Sequence, residues 1–363
     1  MVKFMLLTVK ARLIVDAEQH DSLLRTMEKF NEACNFISDF AFSNRIFGKF
    51  HIQKHLYYEI REKFGLSAQM TVRAVGKVTE SYKVDKKTLH AFEPHGAIVY
   101  DDRILSYKSA DEISILTLEG RTNVGIRYGE YRKLELNRIK GQVDVIYKNG
   151  KFYLMIVIDL PEEELRFPDE ALGVDFGIVN IATTSDGKIF SGKKCTETRL
   201  KYSKIKAKLQ KVGTWDAKKH LKKISGRERR FKKDVNHCIS KDIVQTAKDT
   251  NRSIALEDLS GIRERTTVRK AERESHEKWA FLELRTFVEY KAKLLGVLVQ
   301  LVDPHYTSKQ CSVCGYTSKN NRKTQSSFVC LSCGHTENAD INAAKNIMFR
   351  AAINQPNALC LPI

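Results

Sequence analysis

The stretch "ALGVDFGIVNIATTSDG", Ala171 to Gly187, reads as a buried strand, a tight turn and a returning strand. Asp175 places a carboxylate in the middle of its first apolar run. Taken out of water, such a group neutralises, finds a partner or holds a metal. A second apolar strand, "RSIALEDLSG", carries Glu257, with Ala255 and Leu259 on the same face by the period of two and Asp258 on the other. A third acid, Asp340, opens a helix in "GHTENADINAAKNIMFRAA" that continues through Ala343, Ala344, Ile347 and Met348. An aspartate there is either a helix cap or part of a site. Two acidic strands and an acidic helix start fit a sheet that gathers the three groups at one edge. Gathered so, they would hold two Mg2+ ions about 4 Å apart, which suits in-line phosphodiester cleavage.

Downstream, four of the eight cysteines fall as "CSVC" (Cys311, Cys314) and "CLSC" (Cys330, Cys333), two C-x2-C pairs separated by fifteen residues. Gly315 and Gly334 follow the pairs and suit tight knuckle turns that bring thiolates onto one ion. Four such ligands make a closed, structural Zn2+ site. With no secretory signal in the sequence, disulfides are the weaker account. Cys34, Cys195, Cys238 and Cys360 lack this spacing, and with four cysteines in place His305 and His335 are not needed as ligands.

Upstream of Glu257 lies the charge. The chain of 363 residues has 62 Lys plus Arg against 44 Asp plus Glu, a formal +18. From Lys193 to Lys233 there are 17 Lys or Arg against three acids, Glu197, Asp216 and Glu228. Tyr202, Ile205, Leu209 and Val212 recur at helical spacing, which predicts a helix with one packed face and a second helix from about Trp215. A solvated helix interleaves both signs in i,i+4 pairs. The scarcity of acids points instead to phosphate contact, with Lys218, Lys219, Lys222, Lys223, Arg227, Arg229 and Arg230 as the candidate nucleic-acid contacts.

The N-terminal part predicts a strand in "KFMLLTVKARLIVD" and a helix over Gln19 to Phe42, with Leu23, Leu24, Met27, Phe30, Cys34, Ile37 and Phe40 on one stripe. Two more helices follow, and strands return from Ala97 to Leu160, where Asn149-Gly150 signals a two-residue hairpin. This is a β unit interrupted by a helical insertion, and "PEEELRFPDEA" is the linker out of it. Hydrophobic residues make up 42% of the chain, with no run of about 18 apolar residues to span a bilayer. No membrane partner and a cytoplasmic location are expected.

"GVDFGIVNIATTSDG", "ALEDLSGI", "HEKWAFLELRTFVEYKAKLLGVLVQLVDPHYTSKQCSVCG" and "CLSCGHTENADINAAKNI" together resemble the TnpB (OrfB) family of transposon-encoded RNA-guided DNA endonucleases, relatives of CRISPR type V effectors. The resemblance is close from Gly173 to Ile347. It implies an α/β, RNase H-like RuvC nuclease domain at 166–304 and 338–353, with the zinc ribbon inserted at 305–337 and a tail at 354–363. It also implies an N-terminal wedge-like β-barrel at 1–165 carrying a helical recognition insertion at about 17–90. Asp175, Glu257 and Asp340 match the family's catalytic acids, which implies two catalytic Mg2+ ions. Cys311, Cys314, Cys330 and Cys333 match its ribbon and imply one structural Zn2+. Trp279, Arg285 and Tyr290 match the helix before the ribbon, with Trp279 and Tyr290 read as core. Implied partners are a guide RNA and target DNA beside a short DNA motif, the oligomeric state being left open. A guided repressor that no longer cuts, or a transposase that joins strands, are the alternatives; a repressor of this kind loses acids, and all three are present here.

Overall fold

The computed structural model describes residues 4–129, 136–258, 275–324 and 326–353. Leu259, Cys360, the tail from 354 and the side chain of Trp279 lie outside the described residues. The chain divides into two compact units, Met1–Pro161 and Glu162–Ile363.

In the first unit, β1 (Phe4–Ile14) is followed by three helices, α1 (Ala17–Ser43), α2 (Lys49–Phe64) and α3 (Ala68–Val84). Asp16 starts α1 with a capping box, its side chain accepting from the Gln19 N–H while Gln19 reaches back to Asp16. The stripe expected on α1 is the buried one, through Leu23, Met27, Phe30, Cys34 and Ile37, with Leu24 and Phe40 packed at its margin. Six strands follow: β2 (Ile98–Tyr100), β3 (Leu105–Tyr107), β4 (Glu112–Thr117), β5 (Gly120–Arg127), β6 (Val143–Lys148) and β7 (Lys151–Pro161). Asn149 and Gly150, both at positive φ, make the β6–β7 hairpin turn.

These seven strands form one antiparallel sheet in the order β2-β6-β7-β1-β5-β4-β3. The edge strands β2 and β3 are consecutive in sequence, and the Leu105 N–H donates to the Asp101 carbonyl between them. So short a link curls the sheet until its edges approach. Tyr100 on β2 donates its hydroxyl to the Leu116 carbonyl on β4. Of the expected barrel the fold shows a nearly closed antiparallel sheet: among the described residues, no strand pairing joins β2 to β3.

The second unit carries a five-stranded sheet in the order β10-β9-β8-β11-β12, from β8 (Ala171–Asp175), β9 (Asn180–Thr184), β10 (Ile189–Ser191), β11 (Ser253–Glu257) and β12 (Val299–Val302). The β8–β9 and β9–β10 pairs are antiparallel, while β11 runs parallel to both β8 and β12. The helices are α4 (Lys193–Val212), α5 (Trp215–Asp249), α6 (Ser275–Leu294) and α7 (Ala339–Ile353). Alternation decides which face each residue serves. Leu172, Val174, Ile254 and Leu256 pack with Ile243, Val244, Leu284 and Val288 of α5 and α6, whereas Ala171 and Ala255 pack with Ile347 and Ala351 of α7. The linker is tied into this unit, with Glu162 paired to Lys293 and Glu163 to Lys248.

Helices α4 and α5 form a pair, as the spacing of Tyr202, Ile205 and Leu209 predicts; those three are half-buried, while Val212 is exposed. Between Trp215 and Lys233, α5 buries only Ala217 and Ile224; its later turns, from Asn236 to Ala247, enter the core.

Candidate active site and metal centre

Asp175 continues the Ala171–Gly173 face of β8, and Glu257 continues the Ala255 face of β11. The parallel register pairs Ala255 with Gly173 and Leu256 with Val174. One step on, Glu257 lies level with Asp175 on strands about 4.8 Å apart. Asp258 turns to the other face and pairs with Arg285 of α6 at 3.2 Å. Tyr290, read as core, is half-buried against Phe287 and the Lys291 ammonium.

Close backbone approach brings Asp340 to this edge. A Cβ on Gly173 would lie 2.0 Å from the Ala344 carbonyl oxygen and 2.7 Å from the Met348 nitrogen, so only glycine lets α7 pack directly on β8. Asn338, rather than Asp340, accepts from the first N–H groups of α7, those of Asp340 (2.9 Å) and Ile341 (3.3 Å). The buried Asp340 carboxylate instead accepts from Asn180 Nδ2 at 2.8 Å and Arg322 Nη2 at 2.9 Å.

The three acids share one field. Burial pushes the Asp175 carboxyl well above the ordinary carboxylate range, and the charges of Glu257 and Asp340 raise it further against the pull of Arg322. Glu257 is also raised by burial, opposed by the hydrogen bond from Thr307 Oγ1 and by the Arg350 charge. Thr183, opposite Asp175 across the β8–β9 pair, has a buried hydroxyl with no partner among the described residues. Carboxylates and a hydroxyl are oxygen donors, the kind that suits a hard cation such as Mg2+.

The cysteines form a separate centre. Their four sulfurs lie within 4.8 Å of one another, with Cys311 3.8 Å from Cys333 and Cys314 3.5 Å from Cys330. A disulfide needs about 2.05 Å. A tetrahedral ion bonded at about 2.3 Å sets its sulfurs about 3.8 Å apart, so the cluster has the dimensions of one ion's coordination shell. Each knuckle closes with a glycine N–H donating back to a cysteine carbonyl, Gly315 to Cys311 and Gly334 to Cys330, both glycines at positive φ. The Cys333 and Ser332 N–H groups help hold the Cys330 thiol down at about 6. The His335 N–H favours a Cys333 thiolate too, but the neighbouring sulfurs push that thiol up to about 12. His305 and His335 turn away, to Asp303 and Glu337.

Buried asparagines of α7 join the two centres. Asn342 accepts from the Ser312 N–H and donates to the Gln310 carbonyl; Asn346 donates to the Thr307 and Gln310 carbonyls. Sequence reading missed Asn180, Thr307, Arg322, Gly173 and these asparagines. Arg322 lies in "NNRKTQ" between the cysteine pairs, where nothing in the local pattern marks a residue that reaches Asp340.

Lys218, Lys219, Lys222, Lys223, Arg227, Arg229 and Arg230 are all exposed on α5. Nearby Glu228 is engaged by Lys206 and Lys232, and Lys219 sits 4.9 Å over the Trp215 ring. No described helix is long and apolar enough to cross a membrane.

Residues 155–260 match a family described as probable transposase, OrfB_IS605, and residues 281–347 match the Cas12f1-like TNB domain. The CRISPR-associated endodeoxyribonuclease Cas12f1 of Syntrophomonas palmitatica is 26% identical over 245 residues, 54% of this chain and 48% of that protein. The chain thus spans about half the length of this relative. A TnpB-like protein of Methanocaldococcus jannaschii is 28% identical over 264 residues, 66% of this chain and 91% of that one. The solved structure of the mini-RNA-guided endonuclease CRISPR-Cas_phi3 has the same fold, with a TM-score of 0.53 at 11% identity over 97% of this chain and 93% of that one. The resemblance read from the sequence is thereby borne out: the chain carries OrfB_IS605 and Cas12f1-like TNB segments and is similar to TnpB-like proteins and their CRISPR type V relatives.

Proposed function

We propose that this protein is a transposon-encoded, RNA-guided, Mg2+-dependent DNA endonuclease that cuts target DNA beside a short motif. What supports the reading is geometry: Glu257 stands level with Asp175 on the neighbouring parallel strand, and α7, packed on Gly173, carries Asp340 to the same edge, where Asn180 of β9 donates to it. The second unit then corresponds to an RNase H-like RuvC domain at 166–304 and 338–353, with two strand-borne acids and one from the helix packed on Gly173. The ribbon at 305–337 is its structural Zn2+ centre. The N-terminal unit at 1–165, with its helical insertion, is the part that reads the motif.

Asp175, Glu257 and Asp340 would hold two Mg2+ ions, which when bound activate a water and stabilise the leaving oxygen of a phosphodiester. The chain's own groups prepare that site. Thr307 fixes Glu257 from the ribbon's base, and Arg322 and Asn180 hold the Asp340 carboxylate in place. Asn342 bonds Ser312 of the first knuckle and Asn346 the Thr307 and Gln310 carbonyls just before it, which ties the helix bearing Asp340 to the ribbon segment.

A protein reading a long DNA site by itself needs a groove-reading array such as repeated fingers or a dimeric helix-turn-helix. The sequence shows neither. It shows instead a cationic helix pair, which suits holding a guide and its heteroduplex by the backbone while base pairing reads sequence. Protein stripped of RNA should leave target DNA intact in Mg2+, and a guide should restore site-specific double-strand cleavage. Site-specific cutting without RNA would return the lead to an autonomous nuclease or to a strand-transfer transposase. Joined rather than free ends would select the transposase, and guided binding without cutting would select the repressor.

The α5 cations carry a separate expectation. Replacing Lys218, Lys219, Lys222 and Lys223 together by glutamine should weaken RNA binding and lower the slope of log K against log salt by roughly 3, at about 0.7 for each single-strand phosphate contact. A filter-binding series from 50 to 300 mM salt measures it, and an unchanged slope would remove these lysines from the interface.

A further inference from the structure

Among the described residues, four buried side-chain atoms have no hydrogen-bond partner: the hydroxyls of Tyr107, Thr183 and Ser312, and Asp144 Oδ1. A buried polar atom left unpaired is unfavourable, so it points to a partner that the resting fold does not supply. Tyr107 and Asp144 belong to the first unit and Ser312 to a zinc knuckle. Thr183 lies on β9, in the sheet that carries Asp175 and Glu257.

Register and alternation fix which face Thr183 serves. β9 pairs antiparallel with β8, Thr184 opposite Val174 and Thr183 opposite Asp175. Residues directly opposite across such a pair share a face, with Cβ atoms about 4.5–5.5 Å apart. Val174 packs against α5 and α6, so Thr183 and Asp175 serve the other face, on which α7 packs. Glu257 stands level with Asp175 on the other flank of β8. Thr183, Asp175 and Glu257 therefore form one row across the neighbouring strands β9, β8 and β11. From the same strand as Thr183, Asn180 donates to Asp340.

Nothing in the sheet itself asks for a hydroxyl at this position. Thr183 is 1% exposed, and valine has the same branched shape and suits a strand equally well, with no polar atom to bury. The neighbouring hydroxyls are used by the backbone: Thr184 Oγ1 accepts from the Lys188 N–H and Ser185 Oγ from the Gly173 N–H, both at 3.2 Å. The Thr183 hydroxyl is left facing a row of carboxylates.

We propose that Thr183 is a positioning residue of the cation site, its hydroxyl donating to the Asp175 carboxylate when that group binds a divalent cation. A hydrogen bond to an ionised carboxylate is stronger than one to a neutral acid, so the hydroxyl favours the charged form that a cation needs and fixes its orientation. Rotation of the two side chains brings the atoms together, since the residues already stand opposite one another. The proposal rests on the nuclease reading only in taking the three acids as the place where the cation is held.

Isothermal titration of the zinc-loaded full chain with MgCl2, together with its melting temperature in Mg2+-free buffer, tests this without a cleavage assay. Thr183→Val keeps the branched shape and removes the oxygen. Its Mg2+ dissociation constant should rise about tenfold, the effect of one hydrogen bond to a charged group, while its melting temperature without Mg2+ holds or rises because an unpaired buried hydroxyl is gone. Thr183→Ser keeps the donor and should bind Mg2+ within about twofold of the wild type. Unchanged affinity in Thr183→Val protein would overturn the proposal, as would a lower melting temperature without Mg2+, which would show the hydroxyl already bonded within the fold. Thr183→Ser protein that binds as weakly as Thr183→Val would overturn it too, by tracing the loss to the methyl group. Asp175→Asn separates the two readings. Mg2+ binding lost in Asp175→Asn but unchanged in Thr183→Val removes only the role of Thr183, whereas wild-type Mg2+ binding by Asp175→Asn protein removes the acids as the cation site, and both readings with them.

Discussion

Asp175→Asn should abolish DNA cleavage and, in the same protein, raise the melting temperature measured in EDTA. Both effects come from one group. The carboxylate is half-buried, burial opposes its charge, and Glu257 and Asp340 repel it. Because its folded-state pKa lies above the ordinary value, the strain is present at neutral pH and fades as pH falls through that raised value. Asparagine keeps the shape and removes the charge, so the metal-free variant should melt about 2–4 °C higher for each kcal/mol relieved. The gap should narrow on acidification. Mg2+ should raise the melting point of the wild type by binding the folded state and leave the variant nearly unmoved. Cleavage should fall at least about 10³-fold, since ions held at this position supply several kcal/mol of transition-state stabilisation. Guided DNA binding should persist. Wild-type cleavage by Asp175→Asn protein, or a lower melting point in EDTA, would sink the assignment.

The second large effect belongs to the cysteines. Freshly purified protein should contain one zinc per chain, and Cys311→Ser with Cys330→Ser should lose it, together with the folding free energy of the ribbon, about 10 kcal/mol or more for structural zinc. The damage should not stop at the knuckles. Thr307 and Arg322, which contact Glu257 and Asp340, both come from the ribbon segment, and Asn342 and Asn346 of α7 bond that segment. Excess Mg2+ should therefore fail to rescue cleavage in the double variant, although all three acids remain. Elemental analysis and a cleavage assay across a Mg2+ titration check this. Fewer than half an equivalent of zinc in the wild type would show that the cluster is not a zinc site, and full cleavage by the zinc-free variant would show that it does not support the active site.

Much of this was legible along the chain because it depends on near neighbours. The alternation that puts Leu172 and Val174 on one face and Gly173 and Asp175 on the other is a property of any strand, and it placed Asp175 and Glu257 correctly relative to their own strands. The C-x2-C spacing with its following glycine encodes a knuckle within five residues, so the four sulfurs could be grouped before any fold was known. The cationic run was likewise visible as helices with few acids.

What depended on distant residues was decided only by packing. Asp340 as cap or site could not be settled along the chain, since both readings suit an acid at a helix start; Asn338 takes the capping role in the fold, and Arg322 and Asn180 claim the carboxylate. The barrel expected at the N-terminus became a nearly closed sheet because the four-residue link from β2 to β3 draws the edges together without pairing them. Gly173 looked like one more small residue in a strand. Only the approach of α7, with the Ala344 carbonyl where a Cβ would stand, shows why no side chain fits there. Periodicity records which way a side chain points from its own backbone, whereas a site is made by partners far apart in sequence, whose meeting is set by the packing of whole elements.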